Sequence, residues 1–143
     1  MNFDESISYQ LAKVSTAHRN ALERAMSAAG LHSGQVFVMF ELWKTDGVRQ
    51  VDLAARLNVS PPTVNKMLKI LIDKGLVTRS KVEGDSRSTR IFLTDEGAAI
   101  REAVEMQWLD LESDLLSPLT ETERLVLGEL LNKLRRIDTD EDE

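Results

Sequence analysis

Apolar side chains recur at Ile7, Leu11, Val14, Ala17, Ala21, Ala25 and Ala28 in steps of three and four, with no Pro or Gly anywhere between residues 4 and 29. That period predicts one long helix over residues 4 to 29. Gly30 suits its C-terminal stop, and a second helix is expected from Ser33 to Lys44, closed by the turn Asp46-Gly47. Two more helices are predicted over Gln50 to Leu57 and Pro61 to Lys74, separated by Asn58-Val59-Ser60. Ser60 can cap the second of them, and Pro61 fits the first helical position, where a backbone N–H would have no partner. From Val77 the period changes, and Val77 to Val82 and Arg90 to Leu93 read as two strands joined by the polar loop Glu83 to Ser88. Thr94 then caps a helix running to Leu116, Ser117-Pro118 breaks it, and Thr120-Glu121-Thr122-Glu123 opens a last helix to Ile137 with a capping box.

Composition sets the class of molecule. The chain has 143 residues, 42% hydrophobic and 29% charged, which fits one folded domain. The longest apolar run, Val36 to Phe40, is five residues, against the roughly 20 needed to span a bilayer. With an acidic start, Met1 to Glu5, lacking a basic flank and apolar stretch, the protein is expected in the cytoplasm, away from membranes. There are no cysteines, which removes disulfides, thiolate ligands and thiol redox sensing, and the two histidines make a poor metal set. His18 and His32 are therefore read as solvated or capping residues first. No paired nucleophile and base and no Gly-rich phosphate loop stand out, so no enzyme activity and no cofactor are expected.

Charge changes the picture more. The net charge is −6, yet Val48 to Leu93 carries nine basic against four acidic side chains, a local charge of +5 that leaves −11 for the rest. Five of those negative charges lie in the tail from Asp138 to Glu143. A basic middle can attract a polyanion through its local field even on an acidic protein. Within the Pro61 to Lys74 helix, Val64, Met67, Leu68 and Leu71 share one face, suited to packing on Leu53, Ala54 and Leu57. The opposite face carries Pro62, Asn65, Lys66 and Lys69, with Thr63 near its edge. An amide, a hydroxyl and two ammonium groups at a helix start can meet base edges and phosphates.

Helix, short turn, helix and a two-stranded hairpin in this order is the arrangement of a winged helix-turn-helix, whose second helix enters the DNA major groove. The expected fold is mainly α with a small β-hairpin wing and long N- and C-terminal helices. Val51-Asp52-Leu53-Ala54-Ala55-Arg56-Leu57, Ser60-Pro61-Pro62-Thr63-Val64, Lys74-Gly75-Leu76-Val77, and above all Asp85-Ser86-Arg87 with Leu93-Thr94, resemble the MarR family of bacterial transcriptional regulators. The resemblance spans almost the whole chain, through Leu119-Thr120 and Glu123.

It implies a homodimeric regulator, a repressor, that binds a pseudo-palindromic double-stranded operator with its two recognition helices roughly 34 Å apart. Residues 1–32 and 95–137 would supply the dimerisation helices, 33–94 the DNA-binding lobe, and 138–143 a disordered acidic tail. Leu109, Leu115, Leu116, Leu119, Leu125, Val126, Leu130, Leu131 and Leu134 exceed what a small winged domain needs for itself, which agrees with a dimer. The candidate DNA contacts are Ser60, Pro62, Thr63, Asn65, Lys66, Lys69, Arg87 and Arg90. The resemblance places Arg87 in the minor groove and gives Asp85 the task of holding the wing. It also implies a pocket for a small phenolic or other lipophilic ligand, for which Tyr9, His18, Phe37, Phe40, Trp43 and Trp108 are the candidates, with core packing as the alternative. Two departures stand out. Ser86 occupies a position where many relatives have a second arginine, which predicts a weaker wing contact, and His32 follows Leu31 in place of threonine, which passes capping to Ser33.

Winged helices also serve as protein-docking modules, and the +5 middle favours DNA over that alternative. The wing separates the two tasks of its motif. Arg87→Ala is expected to leave fold and dimer intact while lowering DNA affinity. Asp85→Ala is expected to lower it too, although removing a negative charge near phosphate should by electrostatics alone raise it. Tighter binding by Asp85→Ala in a polarisation assay would contradict the wing-holding role.

Overall fold

The computed structural model describes residues 1–81 and 88–135; Asp85, Ser86, Arg87 and the acidic tail lie outside the described residues. It begins with a turn of 3-10 helix, Phe3–Glu5, followed by α1 (Ile7–Ala28), α2 (Ser33–Lys44), β1 (Val48–Arg49), α3 (Gln50–Leu57), α4 (Pro61–Asp73), β2 (Val77–Lys81), β3 (Thr89–Leu93), α5 (Asp95–Ala99), α6 (Arg101–Leu116) and α7 (Glu121–Arg135). The strands form one antiparallel sheet in the order β1-β3-β2. No helix among the described residues is long and apolar enough to cross a membrane.

The helices predicted over Ser33 to Lys44 and Gln50 to Leu57 form with those bounds, and Gly30 ends α1 in the left-handed conformation, φ +78°. Several expectations need correction. The first helix does not start at residue 4. Ser6 adopts an extended conformation, donates to the Phe3 carbonyl at 2.7 Å and accepts from the Tyr9 N–H at 3.2 Å, so its hydroxyl takes the first turn away from the helix. Capping of α2 does not pass to Ser33. His32 is the N-cap, and the Gln35 side chain reaches back to accept its N–H at 3.2 Å, which satisfies that donor without a threonine. Strand β1 is missing from the sequence reading because two residues carry no period. Val48 pairs with Ile91 and Arg49 with Arg90. Strand β3 starts one residue earlier than expected, at Thr89, which pairs with Lys81.

The helix expected from Thr94 to Leu116 is interrupted at Ile100, whose ψ is −8°. Thr94 caps it as predicted, accepting the Gly97 N–H at 3.0 Å. The Gly97 carbonyl, which a continuous helix would offer to Arg101, accepts the Trp43 indole N–H at 3.0 Å.

The chain divides into two compact units, Met1–Trp108 and Leu109–Glu143. In the first, Val36, Val38, Met39 and Leu42 of α2 are all buried, so this helix is central and shows little amphipathic pattern. Leu22 and Met26 of α1, Leu53 and Ala54 of α3, Val64, Leu68 and Leu71 of α4, Ile91 of β3 and Val104 of α6 join it in the core, with Leu31, Val48, Leu76 and Val77. The predicted apolar face of α4 is thus the buried one. In the second unit α7 opens with the predicted capping box. Thr120 N donates to the Glu123 carboxylate at 2.9 Å, and this bond, helped by the Thr120 side chain, holds the Glu123 carboxyl below its ordinary value, while Glu123 N donates to the Thr120 hydroxyl at 3.2 Å.

Gly97 lies against the backbone of Leu76, and a Cβ there would meet the Leu76 carbonyl oxygen at 2.0 Å. Because backbone cannot yield as a side-chain tip can, Gly97→Ala is expected to lower unfolding stability by about 3 kcal/mol or more. Denaturant unfolding checks this, and an unchanged midpoint would contradict it.

Candidate nucleic-acid interface

Helices α3 and α4 meet through the turn at Asn58, the only described non-glycine residue with positive φ, +53°. An asparagine tolerates that left-handed geometry and lets α4 start immediately after. Ser60 caps α4 through its hydroxyl, which accepts the Thr63 N–H at 3.3 Å and lies 2.9 Å from the Thr63 hydroxyl. Pro61 and Pro62 occupy the first turn, where missing N–H groups are tolerated. Ser60, Pro62, Thr63, Lys66 and Lys69 are exposed, and Asn65 is half-buried. The predicted polar face of α4 is therefore open, with its two ammonium groups in solvent.

The other candidates are placed differently. Arg90 is half-buried and donates to the Gly47 carbonyl at 2.8 Å, so part of its guanidinium ties β3 to the turn before β1. Asp85 and Arg87 fall outside the described residues. Arg79 of β2 was not singled out from the sequence, yet its Nη2 donates to Asn65 Oδ1 at 3.1 Å. The signal for it was its place in the +5 segment on the strand that follows α4.

At the start of α3, Arg49 grips Asp52 with two hydrogen bonds, 2.9 and 3.1 Å. The Arg49 hydrogen bond, helped by the charges of Arg49, Arg56 and Arg90, holds the Asp52 carboxyl below its ordinary value. These arginines thus keep Asp52 ionised.

The aromatic candidates form a cluster with Phe40 at its centre. Its ring lies 4.9 Å from Trp108, 5.7 Å from Phe37 and 6.0 Å from Trp43, centroid to centroid, and His18 stands edge-on to Trp108 at 6.4 Å. Tyr9 makes its ring contact elsewhere, under the Lys13 ammonium at 5.4 Å. Phe37, Phe40 and Trp43 line a cleft of about 670 Å³ together with Leu57 and Met67. Charged groups share its lining. Glu41 lies 3.5 Å from Lys44 and 3.8 Å from Arg56 of α3, and Arg101 pairs with Glu105 of α6 at 2.7 Å.

A capped helix-turn-helix flanked by a three-stranded sheet is a winged helix-turn-helix, and comparison with known proteins places it. The MarR family pattern matches residues 31–89. The transcriptional regulator PecS of Dickeya dadantii is 29% identical over 129 residues, 88% of this chain and 78% of that protein. The S. aureus regulator MepR, solved as a complex with DNA, superposes with a TM-score of 0.81 at 26% identity, over 92% of this chain and 97% of that one. A MarR family protein of Mycobacterium tuberculosis, solved with salicylic acid, does so with a TM-score of 0.74 at 26% identity, over 94% and 99%. Over residues 31–89 the chain matches the MarR family, and over most of its length it is similar to transcriptional regulators and to solved MarR family proteins.

A depressed folded-state value for Asp52 means that its pair with Arg49 stabilises fully above the ordinary aspartate value of 3.8 and is lost as pH falls through the lower folded value. An NMR titration is expected to place the Asp52 midpoint below 3.8 and to raise it in Arg49→Met. A midpoint at or above that value in the unmodified protein would contradict the assignment.

Proposed function

We propose that the protein is a cytoplasmic repressor that binds a pseudo-palindromic double-stranded DNA site as a homodimer and releases it when a small lipophilic or phenolic ligand occupies the aromatic cleft. The observation that carries the DNA reading is the open face of α4. Its N-terminus is capped, and Thr63, Lys66 and Lys69 lie in solvent beside Asn65. Helix N-terminus, ammonium groups and amide together suit a polyanion with readable base edges. The MepR complex with DNA supports the same reading. Arg87 as a minor-groove finger and Asp85 as its support belong to this proposal.

Homodimerisation is supported by apolar side chains that a single chain leaves in water. Phe3, Ile7, Leu11 and Val14 near the N-terminus, and Leu125, Val126, Leu130, Leu131 and Leu134 on α7, are all exposed. Surfaces of this kind are buried against partners, and residues 1–32 and 95–137 would form the two-fold interface while 33–94 holds the DNA. The cleft supports ligand control. Its lining combines aromatic and aliphatic side chains with charged ones and includes residues of both α3 of the helix-turn-helix and α6. A ligand there would act on the Glu41–Arg56 pair that links α2 to α3. The mycobacterial protein solved with salicylic acid supports an aromatic acid as the ligand class.

Counterion release dictates the test. If the +5 segment of each subunit displaces cations from phosphates, affinity for the DNA upstream of the protein's own gene is expected to fall about a thousandfold between 50 and 200 mM salt. Fluorescence polarisation measures this. Affinity independent of salt, or no affinity at all, would leave the winged helix without its proposed partner.

A further inference from the structure

Asn65 and Arg79 meet at the edge of the exposed face of α4. Arg79 is the third residue of β2, so its side chain shares the sheet face of Val77, two residues earlier, and of its cross-strand partner Ile91. Both of those are buried, which marks this as the face turned toward the helices. The guanidinium therefore reaches α4, where Nη2 donates to Asn65 Oδ1 at 3.1 Å. On α4, Asn65 follows buried Val64 and stands one turn before exposed Lys69, so its amide lies at the border between core and open face.

A guanidinium has donors and no acceptor, so the chemistry of the contact fixes the amide. Its oxygen faces Arg79, and its amino group faces away. An unconstrained asparagine pairs with adenine by donating to N7 and accepting from the N6 amino group. Arg79 takes one of the oxygen's two lone pairs and fixes its direction, which leaves the amino group, with two hydrogens to donate, as the edge free to turn toward a base.

We propose that Arg79 is a positioning residue that makes Asn65 a donor-only reader, so that the recognition helix selects guanine at the base facing Asn65. Guanine presents two acceptors, N7 and O6, in the major groove. Thymine offers one acceptor, adenine sets its N6 donor against a donor, and cytosine presents only a donor, so the order is guanine first and cytosine last. The inference rests on the DNA-binding reading above and names the specificity of that same face.

Selection of bound duplexes from a randomised pool, by the full-length protein and by its Asn65→Ala, Arg79→Met and Arg79→Lys variants, tests it. Arg79 is exposed, so these variants are expected to keep the fold, and their melting midpoints verify that. The unmodified protein is expected to favour guanine at one half-site position that becomes degenerate in Asn65→Ala. Arg79→Met, which keeps the stem and loses the donors, is expected to shift that position from guanine toward adenine by about tenfold. Arg79→Lys still donates and is expected to retain guanine, which separates the hydrogen bond from packing. Loss of a phosphate contact would weaken all sequences alike and leave the base preference where it was. The proposal is overturned by an unchanged preference in Arg79→Met, by a guanine preference that survives Asn65→Ala, or by no position responding to Asn65→Ala. A different outcome, in which the unmodified protein enriches no sequence, removes the DNA-binding reading and this inference with it.

Discussion

The winged helix-turn-helix hangs on a backbone crossing between Leu76 and Gly97. Leu76 O accepts the Thr94 N–H at 3.1 Å, the Thr94 hydroxyl donates to Gly75 O at 2.6 Å and accepts from Gly97 N, and the Trp43 indole N–H closes the set on Gly97 O. Four segments are joined there: α2, the turn after α4, the end of β3 and the start of α5. Only glycine leaves room for the Leu76 carbonyl at that crossing. With the turn after α4 fixed, the register of β2 is set, and with it the reach of Arg79 back to Asn65.

Charge is arranged with similar economy. Of the four acidic residues in the segment facing the proposed DNA, Asp52 is held in a two-bond grip with Arg49, so its negative charge is spent locally and does not repel phosphate at full strength. Arg90 holds the turn before β1 through a backbone carbonyl, while Lys66 and Lys69 stay exposed. The basic residues divide into those that shape the lobe and those free to meet a partner. The cleft beneath adds a second set of ions, Glu41 with Lys44 and Arg56, that ties α2 to α3 beside the aromatic cluster.

Much of this was legible in the sequence because the signals are local. Ser60 before two prolines, Thr94 before an acidic turn and Thr120 with Glu123 are capping patterns, and each caps where it was read. The apolar period of α4 separated its buried face from its open one, and the central aromatics do gather around Phe40. What escaped depends on contacts distant in the chain. Strand β1 exists only because β3 pairs with it, the interruption at Ile100 accompanies an indole from α2, and the Arg79–Asn65 bond joins residues 14 apart. Arg90 is a candidate DNA contact by its charge and place, and nothing in sequence puts the Gly47 carbonyl next to it. Of the six pocket candidates, Phe37, Phe40 and Trp43 line the cleft, Trp108 and His18 join the cluster ring to ring without lining it, and the Tyr9 ring lies under Lys13.

The central claim is that two copies of this winged helix hold one DNA site. Sedimentation equilibrium of the protein mixed with a duplex from upstream of its own gene tests it most directly, because the mass of the complex counts chains. The account predicts two chains on one duplex, and a two-chain species of 16.1 kDa subunits without DNA. A single chain on the duplex, or a monomer that forms no complex, would contradict it.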